Sequence, residues 1–238
     1  MGLLISWSPG AVTGCYGGAA RPGKEEVRIT RREPTGGGDL RLPSVPLRRP
    51  YRGRLTTALT RTDPQGADRE ALIAFHTSAH FPFHVRPHPA RGDLERAVDG
   101  GAFRDDDHDS WWLDDERLGR FGLVVLEDLQ EPAPLFDLRI APAFRGRGLG
   151  VPALRAVTDH VFRTLPDVTR FEGQTREDNV PMRRVFLRAG WVKEAHYREA
   201  WPVEGSAPLA SVACAVLRRD RASGRATTFE WDDLTLDD

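Results

Sequence analysis

Ile140-Ala-Pro-Ala-Phe-Arg145-Gly-Arg-Gly148-Leu-Gly150 is the stretch that decides the fold of this chain. It joins a predicted strand, Leu135–Ile140, to a predicted helix that begins near Val151 and ends near Leu165. Its glycines leave the backbone N–H groups unobstructed, and such groups converge on an anion at the N-terminus of a helix. The stretch therefore predicts a phosphate-binding loop between a strand and a helix.

The same loop excludes two common kinds of nucleotide site. No Gly-Lys-Ser/Thr follows that would meet a γ-phosphate and Mg²⁺, and the Gly-x-Gly-x-x-Gly spacing of dinucleotide-binding folds is absent. Arg145 and Arg147 add positive charge, so the loop favours a diphosphate. A glycine-rich turn without a ligand is the alternative that the loop by itself leaves open.

A second pattern lies one predicted helix and one predicted strand downstream, and it reads Asn179-x-x-Met182-x-x-x-Phe186-x-x-x-Gly190-Trp191. Together with Arg145-x-x-Gly148-x-Gly150, it resembles the paired motifs of the GNAT superfamily of acyl-CoA-dependent N-acyltransferases. Within that superfamily, the stretch from residue 172 to residue 202 is most similar to the branch that includes the ribosomal-protein N-terminal acetyltransferases. The resemblance covers roughly residues 53–220.

The resemblance implies an α+β (mixed α/β) fold of the GNAT type. Its central mixed sheet is mostly antiparallel, is splayed between two parallel strands, and is flanked by helices. The pantetheine arm of acetyl-CoA is expected in the gap between those two strands, and the pyrophosphate on the glycine loop. The cofactor-binding residues implied in this way are Leu138, Ile140, Arg145, Gly146, Arg147, Gly148, Leu149, Gly150 and Asn179. Asn179 is also interpreted as the N-cap of the following helix.

The implied activity is N-acetyl transfer from acetyl-CoA to a primary amine of a small molecule or to a protein N-terminus. The amine would attack the thioester directly in a ternary complex. The alternative is a non-catalytic GNAT domain that binds acyl-CoA as a sensor or scaffold. Beside the amine acceptor, a homodimer is a possible assembly.

The candidate catalytic residues are less clearly marked. Many members of the superfamily have a tyrosine, the proton donor to the leaving thiolate, where this chain has Phe186. Tyr197 is the only tyrosine of the proposed domain, so it is the candidate donor, with a packing role as the alternative. A base or a water relay must deprotonate the amine, and we expect Asp137 in this role, with Glu127 and Glu172 also on or beside the central strands.

The chain divides into three parts by composition. Residues 1–52 are rich in glycine, proline and arginine and predict a poorly ordered arm. Residues 53–220 form the predicted acyltransferase domain, and residues 221–238 an extension with an acidic end. Further predicted elements are strands over 55–60, 110–114, 120–127, 169–174, 192–201 and 209–218, and helices over 68–79, 93–98 and 180–189.

Composition restricts the possible partners. A net charge of −1 gives no overall attraction to nucleic acid or to an acidic membrane. No apolar run approaches the ~20 residues that span a bilayer. Two cysteines, Cys15 and Cys214, lie too far apart to indicate a disulfide framework or a zinc site. We therefore expect a cytoplasmic protein without nucleic-acid or membrane partners.

Four histidines recur at intervals of four residues, but the pattern does not predict a metal site. Pro82 and Pro87 prevent one continuous helix, and no His-Glu-x-x-His occurs. Either one histidine contacts the acceptor, or the segment is a polar surface turn. The acidic run Asp105–Asp109 is interpreted as a solvated loop. The histidines are His76, His80, His84 and His88.

Overall fold

The computed structural model describes residues 57–227, so the predicted arm over residues 1–52 and the acidic end after residue 227 lie outside the described residues. Strands and helices follow in the order β1 (Ala58–Arg61), α1 (Arg69–Thr77), α2 (Arg91–Asp99), β2 (Asp109–Asp115), β3 (Gly119–Glu127), β4 (Leu135–Ile140), a 3-10 turn (Pro142–Phe144), α3 (Gly150–Thr164), β5 (Arg170–Arg176), α4 (Val180–Ala189), β6 (Val192–Trp201), β7 (Leu209–Leu217) and α5 (Arg218–Ser223).

The strands form two sheets that meet at β4 and β5. The first has the order β1-β2-β3-β4 and the second β5-β7-β6, and every pairing within them is antiparallel. β4 and β5 are joined by the long helix α3. They run in the same direction, because the N–H of Glu172 bonds the carbonyl of Pro134 near the start of both strands, and residues 136–138 and 174–175 lie across from one another further on. The expected mixed, mostly antiparallel sheet splayed between two parallel strands, with flanking helices, is confirmed.

Two apolar cores cover the two faces of the first sheet. Trp112, Leu123 and Val125 pack against α1 and α2 on one face. Val124 and Phe136 pack on the other face, together with α3 and α4. Successive residues of a strand point to opposite faces, so the adjacent Trp111 and Trp112 are divided between the two cores, as the alternation predicts.

Local signals define α4 at both ends. The side-chain oxygen of Asn179 accepts a hydrogen bond of 3.2 Å from the N–H of Met182, and Pro181 lies in the first turn. Gly190 ends the helix with a φ of 91°, a left-handed conformation that favours glycine. The predicted N-cap role of Asn179 is confirmed.

The helix α5 was not predicted, and it lies across the expected boundary at residue 220. Its first residue, Arg218, donates hydrogen bonds of 2.6 to 2.8 Å to the backbone oxygens of Phe162, Leu165 and Val168. These carbonyls lie at the end of α3 and in the turn before β5, so Arg218 satisfies groups that the helix end leaves unpaired. Residues 218–223 therefore contribute to the folded domain.

Candidate functional site

A gap opens between β4 and β5 shortly after the two strands begin. The N–H of Glu172 donates to the carbonyl of Pro134 at 3.1 Å, and further on the strands line a cleft instead of pairing. Backbone groups alternate in direction along a strand. Because the Pro134 carbonyl faces β5, the N–H and C=O of Leu138 and Ile140 face the gap as well. These are the two residues predicted to bond pantetheine through their backbone.

The cleft in this gap is small and opens to solvent. Its walls combine aromatic rings with neutral polar side chains, and one carboxylate, that of Asp137, lies among them. Residues from β4, β5, α4, β6 and the α1–α2 connection contribute to it. They are Phe83, His84, Phe136, Asp137, Leu138, Gln174, Thr175, Asn179, Met182 and Trp201.

The glycine loop follows β4 directly and leads into α3. Gly146 and Gly148 have φ angles of 71° and 84°, and a Cβ at either position would meet no protein atom within 4 Å. Gly150 has a different requirement, since a Cβ there would lie 2.7 Å from Cγ2 of Val185 on α4. The first two glycines therefore keep the loop surface open, and the third allows the two helices to pack.

The N-terminus of α3 is suited to bind an anion. No side chain caps it, so its first N–H groups and its positive dipole end are available. The buried Leu149 anchors the loop in the core. Among residues 57–227, Arg145 and Arg147 form no ion pair, and Arg145 instead donates from Nε to the carbonyl of Ile140 at 2.9 Å.

A buried ionic cluster lies beside the cleft, on the face of β4 that is turned toward α1 and α2. Arg139 donates to Asp137 from Nε and Nη2, the shortest contact being 2.7 Å to Oδ2. His84 Nε2 lies 2.9 Å from Asp137 Oδ1. Burial by itself would raise the pKa of Asp137, but Arg139 and His84 more than offset this and hold it well below its usual range.

The two histidines of this cluster have lowered pKa values. Burial lowers the pKa of His84, and the positive charge of Arg139 lowers it further. The buried His76 donates from Nδ1 to the carbonyl of Leu72 at 2.9 Å, and burial lowers its pKa to about 3. Both rings are therefore neutral near pH 7.

The other carboxylates proposed as bases have different surroundings. Glu127 is buried, its Oε1 has no hydrogen-bond partner among the described residues, and burial raises its pKa to about 8. Glu172 is paired with Arg170 at 2.7 Å. Neither lines the cleft, whereas Asp137 does.

Phe186 and Tyr197 occupy contrasting positions. Phe186 is fully buried and packs against Phe136 and Trp191, with ring centroids 6.3 and 5.2 Å away. Tyr197 lies on the edge strand β6, is 46% exposed, and does not belong to the residues that line the cleft. Its role as proton donor stays a prediction.

The structure separates the four regularly spaced histidines. His76 lies on α1, His84 lines the cleft, and His80 stacks on His88 with ring centroids 4.4 Å apart. No group of three or more metal-ligating side chains occurs among residues 57–227. In the acidic run, Asp105 accepts hydrogen bonds from the N–H groups of residues 107 and 108 and contacts the His108 ring.

Several residues of the site were not identified in the sequence, and Phe83, Trp201 and Arg139 are examples. Phe83 and Trp201 line the cleft, and Arg139 fixes Asp137. The alternation along β4 places Arg139 on the same face as Asp137, and the ion pair between them could therefore have been predicted from the sequence. Trp201 ends β6 and carried no such signal, since its position in the cleft depends on tertiary packing.

None of the helices in the described part of the chain has the length and apolar character that crossing a bilayer requires.

Residues 59–192, more than half of the 238-residue chain, match the family described as acetyltransferase (GNAT) domain. Among solved structures, a chimera of the spermidine N-acetyltransferase SpeG from Vibrio cholerae and hSSAT is similar, with a TM-score of 0.60 and 16% identity, covering 70% of this chain and 98% of that chain.

Spermidine N-acetyltransferase from Vibrio cholerae in complex with CoA and spermine is also similar, with a TM-score of 0.58 and 16% identity over 70% of this chain and 98% of that chain. At this identity the likeness shows the fold. No curated protein matches the sequence significantly.

Proposed function

This chain belongs to the acetyltransferase (GNAT) domain family, and we propose that it transfers the acetyl group of acetyl-CoA to the primary amine of a small molecule by direct attack in a ternary complex. The observation that carries the proposal is the separation of β4 from β5 after a single hydrogen bond. Backbone groups of both strands border the resulting gap, where an extended ligand would complete the pairing.

The residues present fit acetyl-CoA. The gap-facing backbone of Leu138 and Ile140 suits the amides of pantetheine, and the open surface of Gly146 and Gly148 suits a diphosphate. Arg145 and Arg147, without ion-pair partners among the described residues, provide the compensating charge. Asn179 lies at the same cleft and would contact pantetheine or the acceptor.

The protein's own contribution to the reaction is positioning, charge stabilisation and proton transfer. Acetyl-CoA supplies an activated thioester. A backbone N–H on the gap side of β4 would stabilise the oxyanion that forms when the amine attacks the carbonyl. Asp137 is too well stabilised as an anion by Arg139 to be a strong proton acceptor, and it is better suited to orient His84.

The second candidate function is binding of acyl-CoA without turnover. The observation that favours it is the burial of Phe186 in an aromatic cluster at the position where the superfamily often has its proton donor. A thiol with a pKa near ~8.5 is an adequate leaving group without a donor, and for this reason we favour catalysis.

Two measurements on the wild-type chain test the proposal. Calorimetry with acetyl-CoA measures binding, and release of free thiol measures turnover with a panel of monoamines, polyamines and short peptides. We expect binding, and turnover with at least one small amine. Turnover only with peptides would make a protein N-terminus the acceptor, and binding without turnover would establish the second candidate. Absence of binding would contradict both.

A further inference from the structure

We infer that His84 is the catalytic residue that takes the proton from the acceptor amine, and that Asp137 is the positioning residue that holds its ring. The inference rests on the proposed function, since it assigns a role within the same cleft. It differs from the expectation that Asp137 itself removes the proton.

The hydrogen bonds fix which nitrogen of His84 carries the proton. Asp137 is an ionised carboxylate that only accepts hydrogen bonds, so His84 Nε2 must donate across the 2.9 Å contact. Arg139 immobilises the carboxylate through its paired N–H groups. The backbone N–H of His84 donates to the carbonyl of Phe81 at 3.1 Å, and this bond holds the backbone from which the ring extends.

This tautomer leaves a lone pair on His84 Nδ1. That nitrogen is buried and has no hydrogen-bond partner among residues 57–227. A buried polar atom without a partner is uncommon and requires an explanation, and a catalytic role is one of the recognised explanations. Because Nδ1 carries a lone pair and no proton, it can act as a base but not as an acid.

The ring lies beside the gap in which the proposed function places acetyl-CoA and the amine. His84 lines the cleft with Phe136 and Leu138, which belong to the strand that borders the gap. Its side chain is 20% exposed, and Nδ1 itself is covered. One water molecule, or a shift of the turn over residues 82–85 as the acceptor enters, must therefore complete the contact.

The charges around His84 suit a base that is neutral near pH 7. Burial and the nearby Arg139 and Arg145 lower its pKa, whereas Asp137 raises it, and the neutral His76 faces the same cluster from α1. The imidazolium formed on proton uptake is stabilised by Asp137. A base of this strength matches amines with a pKa near ~8 better than amines near ~10.4.

The step is balanced as follows. The amine nitrogen bonds to the thioester carbonyl carbon, and the nitrogen's proton moves to His84 Nδ1, directly or through one water. The C–S bond then breaks, and the thiolate takes a proton from solvent. His84 returns its proton to solvent, so the ring is neutral before the next turnover.

The test compares His84→Gln with His88→Gln in the full chain. Glutamine can still donate to Asp137, and His88 lies in the same connection but outside the cleft. We expect kcat to fall about 10²-fold or more in His84→Gln, with the Kd for acetyl-CoA unchanged, since general base catalysis is worth ~10²–10⁴-fold. His88→Gln should keep kcat within about twofold.

The pH profile separates a catalytic role from a structural one. In the wild type, kcat should decline on the acid side with an inflection below the ordinary histidine pKa of ~6.5, and His84→Gln should lose this inflection. Asp137→Asn removes the charge that stabilises the imidazolium, so the inflection should move to lower pH. An unchanged kcat and profile in His84→Gln would overturn the inference while leaving the proposed function intact.

A measurement on the unmodified protein covers the case in which the variants do not fold. Nitrogen-15 NMR of the His84 ring should show Nε2 protonated and Nδ1 bare at pH 7. A proton on Nδ1 would overturn the inference. Absence of turnover by the wild type with every amine would overturn the proposed function and this inference together.

Discussion

Gly148→Ala tests whether the glycine loop is shaped for a ligand or only for the fold. Gly148 has a φ of 84° and open space where a Cβ would be, and Gly205, in the turn between β6 and β7, has a φ of 71° and equally open space. The two positions are therefore matched in backbone conformation and in the absence of clashes. They differ in that only Gly148 belongs to the proposed diphosphate loop.

The expected magnitudes follow from this match. A side chain in the left-handed region costs roughly 1–2 kcal/mol, so both alanine variants should lose this much stability. For a domain of this size, the Tm should fall by about 2–8 °C in each. Only Gly148→Ala should also weaken acetyl-CoA binding. Loss of one backbone hydrogen bond to a charged phosphate, at ~1.5–3 kcal/mol, corresponds to about a 10- to 150-fold rise in Kd.

Scanning calorimetry gives the Tm of each variant, and titration calorimetry gives the Kd for acetyl-CoA. Wild type and Gly205→Ala should bind equally well at a temperature where both are folded. If Gly148→Ala binds as tightly as Gly205→Ala, the loop does not approach the diphosphate closely, and the assignment of residues 145–150 is wrong.

Three further predictions concern the stability of the domain and the role of Tyr197. Arg218→Ala should lower the free energy of unfolding by about 2–4 kcal/mol, because it removes three charged hydrogen bonds to backbone carbonyls. The control Arg219→Ala, at a side chain that is 73% exposed, should change the free energy of unfolding by no more than about 0.5 kcal/mol. Equal effects of the two substitutions would contradict this account. Burial raises the pKa of Glu127 from 4.5 to about 8, so the folded protein holds a proton that the unfolded chain releases, and stability should fall as pH rises through that window. Denaturant titrations at pH 5 and pH 8 should show that the free energy of unfolding of Glu127→Gln increases relative to that of the wild type at the higher pH. A difference between the two proteins that is the same at both pH values would refute the raised pKa. Tyr197→Phe should leave kcat within about twofold, because this residue lies outside the cleft, whereas a fall of about 100-fold with an unchanged Kd would establish it as the proton donor.

Elements with their own end signals could be predicted closely from the sequence. The helix α4 has the bounds 180–189 in both sequence and structure, because Asn179, Pro181 and Gly190 mark its ends. The helix α5 had no such pattern. Its six residues lack an apolar stripe, and the contacts of Arg218 with carbonyls fifty or more positions earlier in the chain support it.

The residues of the site likewise divide into those that could be predicted from the sequence and those that could not. The glycine loop is contiguous in the chain, so its residues and their spacing could be recognised without a structure. The cleft is assembled from five separate elements, and the sequence does not indicate which of the regularly spaced histidines reaches it. His84 is selected by its position opposite Asp137, while His80 and His88 stack on one another outside the cleft. This is a consequence of tertiary packing, which local patterns do not encode.

The division of the strands into two sheets has a consequence for how the chain folds. Every pairing of the first sheet joins residues before position 141, every pairing of the second joins residues after position 169, and one hydrogen bond crosses between them. Each half can therefore form its sheet without waiting for the other. We therefore expect the slow step of folding to be the docking of the two halves around α3, whose core contacts join them. We expect the rate of folding to depend on the apolar face of this helix more than on any strand pairing, because burial between the halves, and not a continuous ladder of hydrogen bonds, completes the domain.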